Sequence, residues 1–362
     1  IVKILYISPE NTVGTLPLWK KIHESNGNSC DIITLYRTKY QTDIGICLDL
    51  PMVSTNKKYI NYRHQYYKIY RGELGDYAVT TGYPPTWSPN SFLEKKYFQF
   101  RDWIWSFYIE PAIKKYNLYQ YDIYHFEWGL DLYRDSRFVK RLTNMGKHIG
   151  CTYHGQDIRT RGVMPEMDKI SQLNLTSELD LLHKHPNMNY LFLPFDTTKY
   201  SVQESVNKTL KVCHSPTNRY YKGSEHIIPI CEKLEKEGLI EFILIEGQSY
   251  EAVLKQKQEC DILIDQIYNR GGWGYGMNSV EALSMGLICM TELVPEYQQF
   301  IPDNPFINIT DETLESKIKQ IVSNKEKVIE LKKKSKEWVE KHHSLESTSN
   351  ALYDYYRSLQ WI

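Results

Sequence analysis

The sequence predicts an α/β protein made of two Rossmann-like domains. Three observations carry that expectation. At 362 residues the chain exceeds what one hydrophobic core usually organises. Short apolar, β-branched runs alternate with helical stretches, the order of a parallel, doubly wound sheet. The alternation pauses at residues 194–207 and then starts again.

The first alternation opens with VKILYIS (2–8), a buried-type strand, followed by a polar loop containing Pro9, Asn11 and Gly14. LPLWKKIHESNG reads as a helix and CDIITLY (30–36) as the next strand. YDIYHF, HIGCTYHG and NYLFLPF are further short apolar runs, each ending in a polar or glycine loop, as strands aimed at a ligand do. The second alternation begins at TLKVCHSP (209–216) and continues with a helix at 225–237 and EFILIEG (241–247). A helix at 250–258, CDILIDQ (260–266), a helix at 277–285 and LICMTE (287–292) complete it. In the lysine-rich stretch 323–342, Val328, Leu331 and Trp338 recur at helical spacing. LESTSNALYDYYRSLQWI reads as a last amphipathic helix, which either covers the first domain or ends freely.

Composition excludes several classes. A chain with 41% hydrophobic and 24% charged residues is neither disordered nor fibrous. Its 44 basic and 44 acidic residues cancel, so no global field favours nucleic acid. No uncharged apolar run is long enough to span a membrane. The opening reads as a strand, so no signal peptide is expected. Seven cysteines lie singly with no CxxC pair, against a disulfide framework or a structural zinc site. A cytoplasmic protein with buried, reduced thiols is the expectation.

Three loops hold groups that could carry chemistry. In GGWGYGMNSVEALSMG (271–286), four glycines precede a helix starting at Met277 and Asn278. Gly274 and Gly276 let a backbone approach a ligand, free amides at a helix start attract phosphate, and Glu281 suits paired hydroxyls. A plain glycine turn with an exposed glutamate fits the spacing equally well. In HSPTNRYYKGS (214–224), Arg219 and Lys222 either converge on one anion or form a solvated pair, and His214 reads as a satisfied strand-end histidine. In YHGQDIRTRG (153–162), His154, Asp157, Arg159 and Arg161 crowd one loop. There His154 can touch a hydroxyl and an arginine a phosphate, or Asp157 can cap a helix and pair with Arg159. Strand ends in the two halves would then make an interdomain cleft holding a nucleotide on one wall and an acceptor on the other.

Taken together, these segments resemble the retaining GT-B glycosyltransferases of glycosyltransferase family 4. HSPTNRYYKGSEHI resembles that family's phosphate loop, LIEGQSYEAVLKQKQECDILIDQ the approach to its donor site, and GWGYGMNSVEALSMGLICMTELVPEY its donor-binding loop and helix. YHGQDIR resembles the acceptor-side histidine loop, YDIYHFEWG the strand end before it, and LPFDTTKY the exit into the second domain. The resemblance implies domains at 1–196 and 197–344, with 345–362 crossing back to the first.

It also implies roles. His154, Arg219, Lys222 and Glu281 become catalytic, Lys222 neutralising the departing diphosphate with Arg219 as helper. Glu281 would hold the ribose, and Gly14, Glu246, Gly274, Tyr275, Gly276, Met277 and Asn278 would line the donor. His125, Glu127, Asp157 and Arg159 fall on the acceptor side. Two positions depart from the family pattern: Trp273 stands eight residues before Glu281, where a glutamate is usual, and Thr217 stands five before Lys222 in place of an arginine.

The implied activity is transfer of a hexose from a nucleotide sugar to a glycan or lipid-linked acceptor, with no cofactor, no metal and no nucleic acid partner. A nucleotide-sugar epimerase and a catalytically degenerate sugar-nucleotide-binding protein share the architecture. Residues 51–120 add tyrosines (Tyr59, Tyr62, Tyr66, Tyr67, Tyr70, Tyr77, Tyr83, Tyr97, Tyr108), Trp103 and Trp105. Ten basic residues stand there against five acidic ones. Such a stretch suits a glycan, the inner face of a membrane, or aromatic core packing beneath a basic rim.

Overall fold

The structure, a computed structural model, describes residues 1–11, 14–38, 44–53, 58, 62, 84–155, 157–202 and 205–362, with the backbone alone at residue 160. The chain forms two compact units, Ile1–Phe192 with Ser349–Ile362, and Leu193–Thr348. Both are built on parallel sheets.

Unit 1 runs β1 (Lys3–Ser8), α1 (Leu16–Ser25), β2 (Ser29–Thr34), β3 (Ile46–Cys47), α2 (Phe92–Lys115) and β4 (Ile123–Glu127). It continues with α3 (Arg137–Asn144), β5 (His148–Tyr153), α4 (Pro165–Ile170), β6 (Leu173–Thr176), α5 (Leu179–Lys184) and β7 (Met188–Tyr190). Its seven strands lie in the order β3-β2-β1-β4-β5-β6-β7, all parallel. β1 is apolar on both faces because helices cover both faces of such a sheet, and Ile4, Leu5, Tyr6 and Ile7 are all buried. α2 starts where the Ser91 hydroxyl accepts the Glu94 amide at 3.1 Å. Its Trp105, Ile109 and Ile113, spaced by four, enter the unit core.

Unit 2 runs β8 (Leu210–His214), α6 (Arg219–Lys222), α7 (Ser224–Lys236), β9 (Ile240–Leu244), α8 (Tyr250–Gln258) and β10 (Ile262–Ile264). There follow α9 (Met277–Ser284), β11 (Ile288–Thr291), α10 (Pro295–Phe300), β12 (Ile307–Asn308), α11 (Leu314–Ser323) and α12 (Glu326–His343). Five parallel strands take the order β12-β11-β10-β8-β9. Along α12, Val328, Trp338 and Val339 are buried, and the buried Lys332 ammonium pairs with Asp261 at 2.7 Å.

The last helix, α13 (Leu345–Ser358), belongs to unit 1 from Ser349 onward. There the Tyr353 hydroxyl meets His23 Nδ1 at 3.1 Å and the Tyr356 hydroxyl meets His125 Nε2 at 2.6 Å. Of the two courses open to this helix in the sequence, it takes the one over the first domain's residues. All seven cysteines are free, and six of them are buried. Among the described residues no helix is long and apolar enough to cross a membrane.

Each sheet order reverses once, between β1 and β4 in unit 1 and between β8 and β10 in unit 2. Outside the carboxyl ends of strands at such a reversal, diverging loops leave room for a ligand. The candidate residues cluster at those ends.

Candidate functional site

In unit 2, β8 and β10 end side by side, and each strand end delivers one half of a polar cluster. β8 leads through Ser215 to α6, whose first turn is capped by the Asn218 side chain accepting the Tyr220 amide at 3.0 Å. α6 ends at Lys222 because Gly223 follows with φ 65°. A Cβ on Gly223 would lie 2.6 Å from the Ile267 carbonyl oxygen, so only glycine lets α6 approach the loop after β10. The Ile267 amide donates to the Lys222 carbonyl at 3.2 Å and locks the two segments together.

Asp265, at the end of β10, organises the cluster. Its Oδ1 accepts from Lys222 Nζ at 2.6 Å and from Asn278 Nδ2 at 2.8 Å, while Oδ2 accepts from the Ser279 hydroxyl at 2.6 Å. One carboxylate oxygen therefore joins the Lys222 ammonium to the first turn of α9. Burial of Asp265 works against its charge, yet Lys222 and the Asn278 and Ser279 hydrogen bonds hold its carboxyl below the usual range. Lys222 Nζ also donates to Gln266 at 3.1 Å, leaving one of its three donors for a ligand. The α9 amides of Met277 and Asn278 donate to no carbonyl among the described residues, as expected of a helix start. The space where a Gly276 Cβ would sit is open. Through the Asp265 carboxylate a cation is tied to side chains of a helix turn whose backbone amides are open, which is a physical arrangement for an anion.

Other expectations for this half need correction. Arg219 and Lys222 do not converge: Arg219 is held bidentately by Glu246 at 2.8 and 2.6 Å, whereas Lys222 turns to Asp265. Tyr275 is no donor-side group, because its ring packs among Phe306, Trp338 and Tyr297 and its hydroxyl meets His343 Nε2 at 2.9 Å. Gly274 serves that packing: at φ 77° its missing Cβ would lie 2.7 Å from the Tyr297 ring. Glu281 is buried, not exposed, with Oε1 accepting from the Tyr250 hydroxyl at 2.9 Å and Oε2 from Lys257 at 2.5 Å. Half-buried Trp273 lies in the same glycine loop. His214 needs no correction: it is the satisfied strand-end histidine expected, bridging the Ile264 carbonyl and the Ser224 hydroxyl at 2.8 Å each.

In unit 1, Glu127 ends β4 and His154 follows β5. Glu127 Oε2 lies 2.5 Å from His154 Nε2, and the His154 amide donates to Asp157 Oδ2 at 2.8 Å. Burial is the largest influence on the His154 ring and opposes its protonation. The hydrogen bond and charge of Glu127, with Asp157 and Glu178 nearby, outweigh it and raise the pKa. Glu127 Oε1 is buried without a hydrogen-bond partner among the described residues. Asp157 caps its own turn, accepting the Ile158 amide at 2.7 Å.

Two acceptor-side expectations fail here. His125 is fully buried, stacked on Tyr6 at 4.7 Å and bonded to Tyr356, and burial pushes its pKa down to about 3. The Arg159 guanidinium is instead buried against Asp180 at 2.5 and 2.9 Å and Glu178 at 2.8 Å. Arg161 donates to the Trp128 and Gly162 carbonyls. Gly14 is exposed after β1, with open space about its Cα. Of the aromatic-basic stretch, Lys57, Tyr59, Arg63, Tyr66, Tyr67, Lys68, Tyr70, Arg71, Tyr77 and Tyr83 lie outside the described residues. Among the described residues, no three His, Cys, Asp or Glu side chains gather as metal ligands.

Sequence reasoning missed Asp265, Gln266, Lys257 and Tyr250. Asp265 carried a signal, as a carboxylate directly after the apolar run of a strand. Lys257 carried none, since one lysine in a polar helix looks like a surface residue.

No protein-family model matches the chain, and no curated protein matches it in sequence. Solved structures do match in shape. Anabaena HepE in complex with UDP aligns over 99% of this chain and 100% of its own, with TM-score 0.58 and 9% identity. HepE was also solved with UDP and glucose and with UDP-glucose. A point mutant of S. aureus TarM, in complex with fondaparinux, alpha-GlcNAc-glycerol and UDP, aligns over 98% and 99%, with TM-score 0.58 and 11% identity. The glycosyltransferase SnogD from Streptomyces nogalater aligns over 98% and 99%, with TM-score 0.50 and 11% identity. Across its whole length, the chain has the two-unit α/β architecture of the GT-B fold.

Proposed function

We propose that this protein is a glycosyltransferase that moves a hexose from a nucleotide-diphosphate sugar to a hydroxyl of a glycan or lipid-linked acceptor, with retention at the sugar carbon and without a metal. The observation that carries the reading is the Asp265 oxygen shared by Lys222 and Asn278. It brings an ammonium with a spare donor to the open amides of α9, a cradle suited to a diphosphate. Glu281, oriented by Tyr250 and Lys257, takes the ribose hydroxyls. Glu127 and His154 meet the hydroxyl-bearing ligand, where the bare Glu127 Oε1 accepts a hydrogen bond.

In the reaction, the bond from the anomeric carbon to the phosphate oxygen breaks, and its electron pair leaves on the diphosphate. The acceptor oxygen attacks the same face, and its proton passes to a phosphate oxygen of the leaving group. The remaining Lys222 donor and the Met277 and Asn278 amides stabilise the departing charge, so no carboxylate nucleophile is required. The nucleotide in the HepE and TarM structures makes UDP-sugars the first donors to try.

Lys222→Ala is the test. Turnover with the preferred donor falls on the order of 100- to 1,000-fold, while activity in EDTA matches the control. A Lys222→Ala enzyme with near-normal turnover removes the diphosphate cradle from the mechanism. Conversion of donor without acceptor identifies an epimerase instead.

A further inference from the structure

α2 has two faces of opposite logic. Trp105, Ile109, Ala112 and Ile113 bury one side in unit 1. On the other side Phe92, Phe100, Trp103 and Phe107 are 70, 53, 57 and 62% exposed, with Leu93 at 79%. Positions 92, 96, 100, 103, 107, 110 and 114 recur at intervals of three and four, so they form one stripe about 33 Å long, acidic only at Glu110. Its rings touch one another, with centroids 5.8 Å apart for Phe100 and Trp103 and 5.1 Å for Trp103 and Phe107. A helix that already buries its core face gains nothing in folding from a second aromatic face exposed to water.

The charges on this helix are lopsided. Its acidic residues are committed: Glu94 to the Asn90 amide at 2.5 Å, Asp102 to Arg101 at 2.7 Å, and Glu110 to Arg141 at 2.9 Å. Lys96 and Lys114 lie in the stripe and Lys95 and Lys115 flank it. Among the described residues none of the four pairs with a carboxylate, and Lys96 Nζ rests 5.4 Å from the Phe92 ring centre.

We propose that this face of α2 docks in the plane of an anionic lipid surface. Charge complementarity selects that occupant. Lysines are depleted from the centre of protein interfaces, where an ammonium loses its water without compensation. At a bilayer surface the lysine stem lies along the apolar rings while the ammonium reaches the headgroup phosphates. Trp and Phe beside them match the same boundary. The proposal needs no nucleotide and stands apart from the transferase reading.

Flotation of the full chain with vesicles, without nucleotide, tests it. The protein floats with equal parts phosphatidylcholine and phosphatidylglycerol at low salt, and stays behind with phosphatidylcholine alone or at high salt. Lys96→Gln and Lys114→Gln each weaken partition about fivefold. Trp103→Ser with Phe107→Ser abolishes flotation while the far-UV circular dichroism and the urea midpoint keep their wild-type values, since both side chains are exposed. Wild-type protein that stays behind with anionic vesicles, or variants that float equally well, overturn the proposal. So does sedimentation showing self-association that the aromatic variants dissolve, which makes the stripe an interface between copies.

Discussion

The buried Lys257–Glu281 pair shows how much a single residue carries here. Lys257 Nζ lies 2.5 Å from Glu281 Oε2, with side chains 2 and 6% exposed. Each charge has surrendered its hydration and depends on the other. Removing one partner leaves a buried charge without its counterpart. Lys257→Met should therefore destabilise the protein by about 3–5 kcal/mol, read as a lower urea midpoint, and weaken donor binding by freeing Glu281. A variant of unchanged stability would show the pair to be hydrated. The same residue-scale reasoning explains why Arg219 and His125 lost their expected roles. Each found a partner inside its own unit, Glu246 for Arg219 and Tyr356 for His125, and sequence spacing does not reveal partners 27 or 231 positions away.

Among elements, the short helix α6 and the loop after β10 form the joint on which the anion cradle depends. Its tightest point is Gly223, left-handed, where a Cβ would lie only 2.6 Å from the Ile267 carbonyl oxygen. Gly223→Ala costs about 1–2 kcal/mol for the backbone conformation alone. The methyl group must also push the Ile267 carbonyl away, which shifts Lys222 from Asp265. The expected result is a larger loss in donor affinity than in stability, measured by nucleotide-induced thermal shift beside the urea midpoint. Equal donor binding in wild type and variant would show that the joint does not position Lys222. The strands on either side were legible as apolar runs, and the capping Asn218 and terminating Gly223 were visible in the motif. That Gly223 packs against Ile267 was not, because a glycine's neighbour across a sheet leaves no mark on local pattern.

For the whole molecule, four buried histidines set the response to acid. Burial pushes His23, His125 and His343 down to about 3 and His214 to about 4. They are neutral when folded and take protons near 6.5 when unfolded, so the unfolded chain binds more protons below that value. Their stabilisation is complete above pH 6.5 and falls toward pH 4, by at most about 1.4 kcal/mol per pH unit each. Asp131 opposes them: burial raises it to about 7 despite hydrogen bonds from the Leu132, Val139 and Phe138 amides, so the folded state gains a proton between 7 and the unfolded value of 3.8. His154 and Glu178, also raised in the folded state, act in the same sense as Asp131, and the four histidines outnumber these three, leaving a net loss in acid. The urea midpoint should drop between pH 7 and pH 5, and a midpoint that stays level would mean the histidines ionise without unfolding.

By itself the sequence determined strands β1, β2, β4, β5 and β8 to β11, helices α1, α7, α8, α9, α12 and α13, the two-part chain and the three polar loops, because period, capping residues and glycine placement are local properties. It also marked Lys222, the α9 start and His154, since their loops follow strands. Only the tertiary structure decided the strand order, hence where each sheet reverses and which loops lie together. It also decided which polar groups were already spent on partners within their own unit, taking Tyr275, Arg159 and His125 out of the site and bringing Asp265 in. The physical reason is that burial and hydrogen bonding are settled between residues far apart in the chain, and a one-dimensional pattern records only a residue's nearest neighbours.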